Sequence, residues 1–96
     1  MTLMKKTRNE RMEMALAEFQ LHDGCPGLED DTATAFREGV EYADSHKATG
    51  DRRKELWEAG EKHAEYMEYG PFAWEIAYAF CHGGEWADRN PLKKQS

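Results

Sequence analysis

The chain has 96 residues, of which 40% are apolar and 33% charged, and its 13 basic and 19 acidic side chains leave a net charge of −6. One domain spanning residues 1–96 fits that length, and the composition suits neither a disordered chain nor a membrane protein. There is no basic excess of the kind a nucleic-acid binder needs, and the basic residues interrupt the field that an acidic mimic of nucleic acid would present.

Val40 and Ile76 are the only β-branched aliphatic residues. Sheets favour such residues, so an all-α fold is expected. The opening MTLMKKTRNERMEM has no apolar run of signal-peptide type, and no later stretch reaches membrane-spanning length. The expected compartment is the cytoplasm, with Cys25 and Cys81 as reduced thiols.

Met12, Ala15, Leu16 and Phe19 recur at helical spacing and place helix one at about residues 4 to 21. Asp23-Gly24 stops it, with Gly24 in a left-handed cap and Pro26 unable to continue the ladder. Asp31 or Thr32 is expected to cap helix two, about 32 to 48. Gly50 ends that helix, Asp51 caps helix three, and Gly70-Pro71 breaks helix three near residue 69. Leu56, Gly60, His63, Ala64 and Met67 form the inner stripe of helix three, and its glutamates form the wet face.

Helix four, about 72 to 89, is apolar around most of its circumference and is therefore placed at the centre or against a second copy of the chain. Asn90-Pro91 ends it, and about 91 to 96 reads as a frayed tail. Short connections between four helices point to a compact antiparallel bundle.

The strongest internal signal is a repeated device. Phe36-x-x-Gly39-x-x-Tyr42-Ala43-Asp44 returns as Phe80-x-x-Gly83-x-x-Trp86-Ala87-Asp88, and a looser copy runs Trp57-x-x-Gly60-x-x-His63-Ala64-Glu65. Glycine and alanine four apart leave a strip where two helix backbones can approach closely, and that return offsets the roughly 1 kcal/mol that a helical glycine costs. Gly39, Ala43, Gly60, Ala64, Gly83 and Ala87 are accordingly expected at helix crossings. Gly83-Gly84 could also permit a kink. A duplicated helical hairpin would account for the repetition.

The segments AFREGVEYAD and AFCHGGEWADRNP resemble an AFxxGxEWADxxP signature of small helical proteins of gut-bacterial phages and mobile elements. That resemblance implies a cytoplasmic accessory protein with no established catalytic residues.

Glu38-x-x-Glu41 and Glu58-x-x-Glu61, with Glu65-x-x-Glu68 beyond, resemble the paired carboxylates of all-α nucleoside triphosphate pyrophosphohydrolases of the MazG type, which hold Mg²⁺ beside a triphosphate. Both pairs fall opposite the apolar stripes, and the terminal Asp of that pattern is missing. His22-x-x-Cys25 with Cys81-His82 offers ligand types for zinc, although adjacent helical residues diverge by about 100°. His63 on an apolar stripe reads as a hydrogen-bonded core residue, and Arg52-Arg53-Lys54 as a solvated turn. The expected function is a non-catalytic interaction with a protein partner, a host factor included, or self-association through Trp74, Tyr78 and Trp86, with no cofactor and no membrane or nucleic-acid partner. The alternative is the Mg²⁺-dependent hydrolase using Glu38, Glu41, Glu58 and Glu61.

Overall fold

The computed structural model describes residues 6–68 and 70–92. Four α-helices follow in chain order: α1 Arg8–Asp23, α2 Glu29–Ser45, α3 Arg52–Tyr66 and α4 Ala73–Arg89, with a short 3₁₀ turn at Gly70–Phe72 leading into α4. The fold is an all-α bundle. One core draws on all four helices, including Met12, Leu16 and Phe19 from α1, Phe36 and Val40 from α2, Ala64 from α3, and Ile76 and Phe80 from α4. Leu56 and Ile76 have no solvent exposure, and burial of a side chain of that size contributes about 1.5–3 kcal/mol.

The second helix pair repeats the first with a shift of 44 positions: Arg8 corresponds to Arg52, Glu29 to Ala73 and Ser45 to Arg89. The unit of repetition is thus a helical hairpin. Phe36 and Phe80, Gly39 and Gly83, and Asp44 and Asp88 hold equivalent places, whereas the looser copy beginning at Trp57 has no equivalent on α1, where Glu13 stands.

The two hairpins meet along α2 and α4, the most intimate pairing in the molecule. A methyl group on Gly39 would overlap the carbonyl oxygen of Phe80, and one on Gly83 would overlap that of Phe36. Backbone therefore lies against backbone at both ends of the crossing. Within the hairpins the packing differs. α3 lies much closer to α4 than α1 does to α2, because Gly60 and Gly84 on the second hairpin replace Leu16 and Val40 on the first. A methyl on Gly60 would come 2.9 Å from the Ala77 carbonyl oxygen, and Leu56 fills the space over Gly84. α4 is consequently central, touching both α2 and α3. Gly83-Gly84 causes no kink: α4 is a single unbroken helix.

Several boundaries differ from expectation for local reasons. α1 begins at Arg8, not near 4, because Thr7 forms a capping box in which its hydroxyl accepts from the Glu10 amide at 3.0 Å and Glu10 accepts from the Thr7 amide at 2.8 Å. Residues 4 and 5 of the expected helix lie outside the described residues, as do Tyr69 and residues 93–96 of the expected tail. Gly24 ends α1 in an extended conformation, with φ −69°, not a left-handed one. Space selects glycine there, since a side chain would strike the Gln20 carbonyl.

α2 starts three residues early, at Glu29, and its cap position is Leu28, which offers no side-chain bond. Thr32 lies inside the helix, where its buried hydroxyl donates to the Leu28 carbonyl at 2.9 Å. The acids Glu29, Asp30 and Asp31 occupy the first turn, where the helix dipole favours negative charge. α3 has the expected Asp51 cap, whose carboxylate accepts from the Lys54 amide at 3.2 Å. It stops at Tyr66 because Glu68 adopts a left-handed φ of 57°, which breaks the hydrogen-bond ladder before Gly70-Pro71 is reached.

Candidate functional site

Two arginines in equivalent positions bolt the hairpins together. Arg8 donates to both carboxylate oxygens of Asp44, at 2.7 and 3.0 Å, and through Nε to the Asn90 carbonyl at 2.7 Å, while its guanidinium lies 5.2 Å from the Trp86 ring centre. Arg52 donates to Asp88 at 3.0 and 3.2 Å and to the His46 carbonyl at 2.6 Å, with its guanidinium 6.0 Å from the Tyr42 ring. Each arginine holds an aspartate of its own hairpin and a ring and carbonyl of the other. Hydrogen bonding to Asp88 raises the Arg52 pKa above its ordinary value. The run Arg52-Arg53-Lys54 is therefore not a uniform solvated turn: Arg52 is built in, whereas Arg53 and Lys54 are exposed.

The equivalent outer faces of the hairpins differ sharply. On the first, Arg37 of α2 donates to both carboxylate oxygens of Glu13 on α1, at 2.8 and 2.9 Å, and this pair spans the helices. Hydrogen bonding to Arg37 lowers the Glu13 pKa below 4.5. On the second hairpin the positions 44 later are Trp57 and Cys81, which cannot form that pair.

A groove of about 540 Å³ opens there, lined by Arg53, Lys54, Trp57, Trp74, Tyr78 and Cys81 among others. Trp74 stacks on Tyr78 with ring centres 4.9 Å apart and planes 14° apart, and it meets the Trp57 ring edge-on at 5.8 Å. A second groove of about 460 Å³, rimmed by Glu61, Glu65 and Glu68, lies on the other side of Trp57 and Trp74. The two tryptophans form a ridge between a groove whose rim carries Asp51 and Glu85 as well as Arg53 and Lys54 and a groove whose rim is acidic. Trp74 remains 58% exposed. Burial, followed by the nearby Glu85 charge, pushes the Cys81 thiol up to about 12, so the groove floor is uncharged.

Of the three rings expected to face outward, Trp74 does so and Tyr78 is half-buried behind it. Trp86 is not on the exterior. It is 9% exposed, turned into the core and covered by Arg8. Gly39, Ala43, Gly60, Ala64, Gly83 and Ala87 all lie on helix faces turned toward neighbours, with Ala43 the least enclosed.

The carboxylates do not converge. Glu38, Glu41, Glu58 and Glu61 are exposed on the outer faces of α2 and α3, and among the described residues no three His, Cys, Asp or Glu side chains gather closely enough to hold a metal ion. His82 borders the Trp57 groove together with Cys81 and a shallow pocket beside Phe19 together with His22, while Cys25 sits in the α1–α2 loop. The four side chains are therefore not gathered at one point among the described residues. His82 is taken up by rings, 4.9 Å from Phe19 and 4.5 Å from Tyr78. His63 is not the hydrogen-bonded core residue expected: its Nε2 is buried with no bonding partner among the described residues, and its ring lies 5.7 Å from Phe80.

Sequence reasoning missed Trp57, Arg53 and Glu61 as members of one surface. Comparison of the chain with itself at a shift of 44 would have found the first, because Glu13 and Arg37 change together to Trp57 and Cys81. Among the described residues, no helix is long and apolar enough to cross a membrane. Compared with known proteins, the chain matches no family model, no curated protein and no solved structure.

Proposed function

We propose that this protein is a non-catalytic binding module whose recognition surface is the outer face of α3 and α4, centred on Trp74. The observation that carries this reading is the contrast between two equivalent faces of one scaffold. Grooves of similar size flank both, about 450 and 480 Å³ on the first, but the first is spanned by an ion pair whereas the second presents an exposed tryptophan. Exposed aromatic side chains over concave apolar surface are the usual anchors of protein contacts. The scaffold beneath is rigid, since the crossing at Gly39 and Gly83 leaves no room for the helices to slide. A cytoplasmic accessory role of the phage or mobile-element kind, with a host protein as target, fits a small acidic module of this design.

The hydrolase reading needs carboxylates facing one metal, and the four glutamates point outward from two different helices. No observation favours it.

Replacement of Trp74 by a photo-crosslinking amino acid tests the proposal, with the same replacement at Met14, 55% exposed on α1, as the control. Discrete adducts at position 74, suppressed by excess unlabelled protein and missing at position 14, are expected. Failure to form adducts, or equal labelling at both positions, would overturn the reading.

A further inference from the structure

We infer that the groove bounded by Trp57, Trp74 and the last turns of α3 receives an arginine side chain from a basic segment of a partner protein. The inference rests on the reading of this face as the recognition surface and names the chemistry of its partner. Trp57, Glu61 and Glu65 stand at intervals of four on α3. Four residues advance an α-helix by about 6 Å and return nearly to the same face, so ring and carboxylates follow one another along the groove. Trp74 of α4 completes the lining, and the buried Ala64 and Ala77 form a floor of small side chains.

Charge selects the occupant. Glu61, Glu65 and Glu68 line this groove and no basic residue does, and none of the three carboxylates has an ion pair among the described residues. The groove across the ridge is balanced, with Asp51 and Glu85 against Arg53 and Lys54. Together the two make an acidic face, which draws a cationic partner and repels a nucleic acid. The flanking grooves of the first hairpin both include Arg37 and have no aromatic ring.

The scaffold twice seats an arginine on this pairing of ring and carboxylate. Arg8 lies over Trp86 and bonds to Asp44, and Arg52 lies near Tyr42 and bonds to Asp88. Beside Trp57 and Trp74 the same two kinds of group are present, and no arginine lines them. A guanidinium can stack on an indole and fork to a carboxylate at once, whereas an ammonium cannot. Tyr78 covers one face of Trp74 and leaves 58% of that residue exposed. Beyond the acidic end, Tyr66, Met67 and Phe72 are exposed at the turn between α3 and α4, a surface that suits a peptide chain better than a free cation.

Titration of the isotope-labelled full chain with blocked tetra-arginine, read at the indole N–H resonances, tests the inference. The resonances of Trp57 and Trp74 should shift together and saturate, while that of Trp86, buried beneath Arg8, stays in place. Blocked tetra-lysine should bind more weakly by about threefold or more, and tetra-citrulline, alike in shape but uncharged, should not bind. Trp74→Ala and the pair Glu61→Gln with Glu65→Gln should each weaken binding about tenfold. Glu38→Gln with Glu41→Gln removes the same charge from the outer face of α2 and should leave the affinity within about twofold. All of these positions are exposed, and unchanged circular dichroism shows that the variants fold.

Absence of a saturable shift at Trp57 and Trp74 with millimolar tetra-arginine would overturn the inference. Equal binding of the citrulline peptide would overturn it too, as would an equal loss in the α2 control, since bulk charge would then account for the attraction. If position 74 nevertheless forms adducts with a protein, the binding-module reading stands and only the chemistry of the partner falls. If it forms none either, both fall.

Discussion

The Arg8 guanidinium lies 5.2 Å from the centre of the Trp86 ring, a contact that joins the start of α1 to the end of α4. It explains why a tryptophan on the outer turn of α4 is interior, and Arg52 over Tyr42 repeats the arrangement on the other side of the molecule. Arg8→Ala should lower unfolding free energy by about 1–2 kcal/mol, the scale of a half-buried bidentate pair with a ring beneath it. Arg8→Lys should recover only part, since an ammonium cannot bond in a fork and stack at once. Urea unfolding of these variants and of Arg52→Ala checks both, and the two alanine variants should agree in size.

The same contacts place residue 8 beside residue 90, just as residue 52 lies beside residue 46. A circular permutant that joins residue 92 to residue 6 through a short polar linker and opens the chain between Lys47 and Gly50 should keep the fold, because it exchanges one equivalent connection for the other. Its circular dichroism should match that of the parent. Loss of cooperative melting would contradict the equivalence of the hairpins.

The ion pair on the first hairpin has a defined pH signature. The Glu13 carboxyl is held below its ordinary 4.5 by the Arg37 guanidinium. A carboxyl depressed on folding stabilises the fold above its unfolded pKa, and this contribution disappears as pH falls through the folded value. The difference in stability between the natural chain and Arg37→Leu should therefore be full near pH 7 and shrink below pH 4.5. Thermal melts at neutral and acid pH, with and without salt, measure it.

Cys81 and Cys25 should differ in reactivity. Burial raises the Cys81 thiol to about 12 from an ordinary 9.0, so it stays protonated and unreactive at pH 8, whereas Cys25 lies in a loop, half-buried. The Cys81 contribution to stability is complete below pH 9.0 and declines as pH rises toward 12. A thiol reagent at pH 8 should modify Cys25 first and Cys81 about a hundredfold more slowly, on opening of the fold. Equal rates would show that the groove floor is open.

The four helices and their crossing were legible in the chain because apolar spacing and small-residue strips are local patterns. Phe36-x-x-Gly39 and Phe80-x-x-Gly83 mark two helix-crossing strips, although their spacing alone does not say that the two strips face one another. Helix ends were less legible. The apolar stripe that marks α1 starts only at Met12 and leaves the helix start to the capping box at Thr7, and Glu68 takes a left-handed φ that no residue type near it demands.

The ridge was half legible. Trp74 could be placed outside from the chain, but Trp86 could not be placed inside without knowing that Arg8, 78 positions away, would cover it. Arg8 and Arg52 look like any solvated arginine until the hairpins are brought together. The aromatic character of the second face depends on two residues far apart, Trp57 and Cys81, which replace an ion pair and show only when the hairpins are compared position by position.

The direct backbone contact of α2 with α4 at Gly39 and Gly83 underlies everything else, and one set of unfolding free energies tests it: Gly39→Ala, Gly83→Ala and, as a control, Gly50→Ala, where nothing lies within 4 Å. Alanine improves an ordinary helix by up to about 1 kcal/mol over glycine, yet overpacking at a close crossing costs about 1–3 kcal/mol or more. Gly39→Ala and Gly83→Ala should each lose at least about 2 kcal/mol, while Gly50→Ala stays within about 0.5 kcal/mol of the parent. Two helix variants as stable as the natural chain, or more so, would contradict the crossing and the duplicated scaffold built on it.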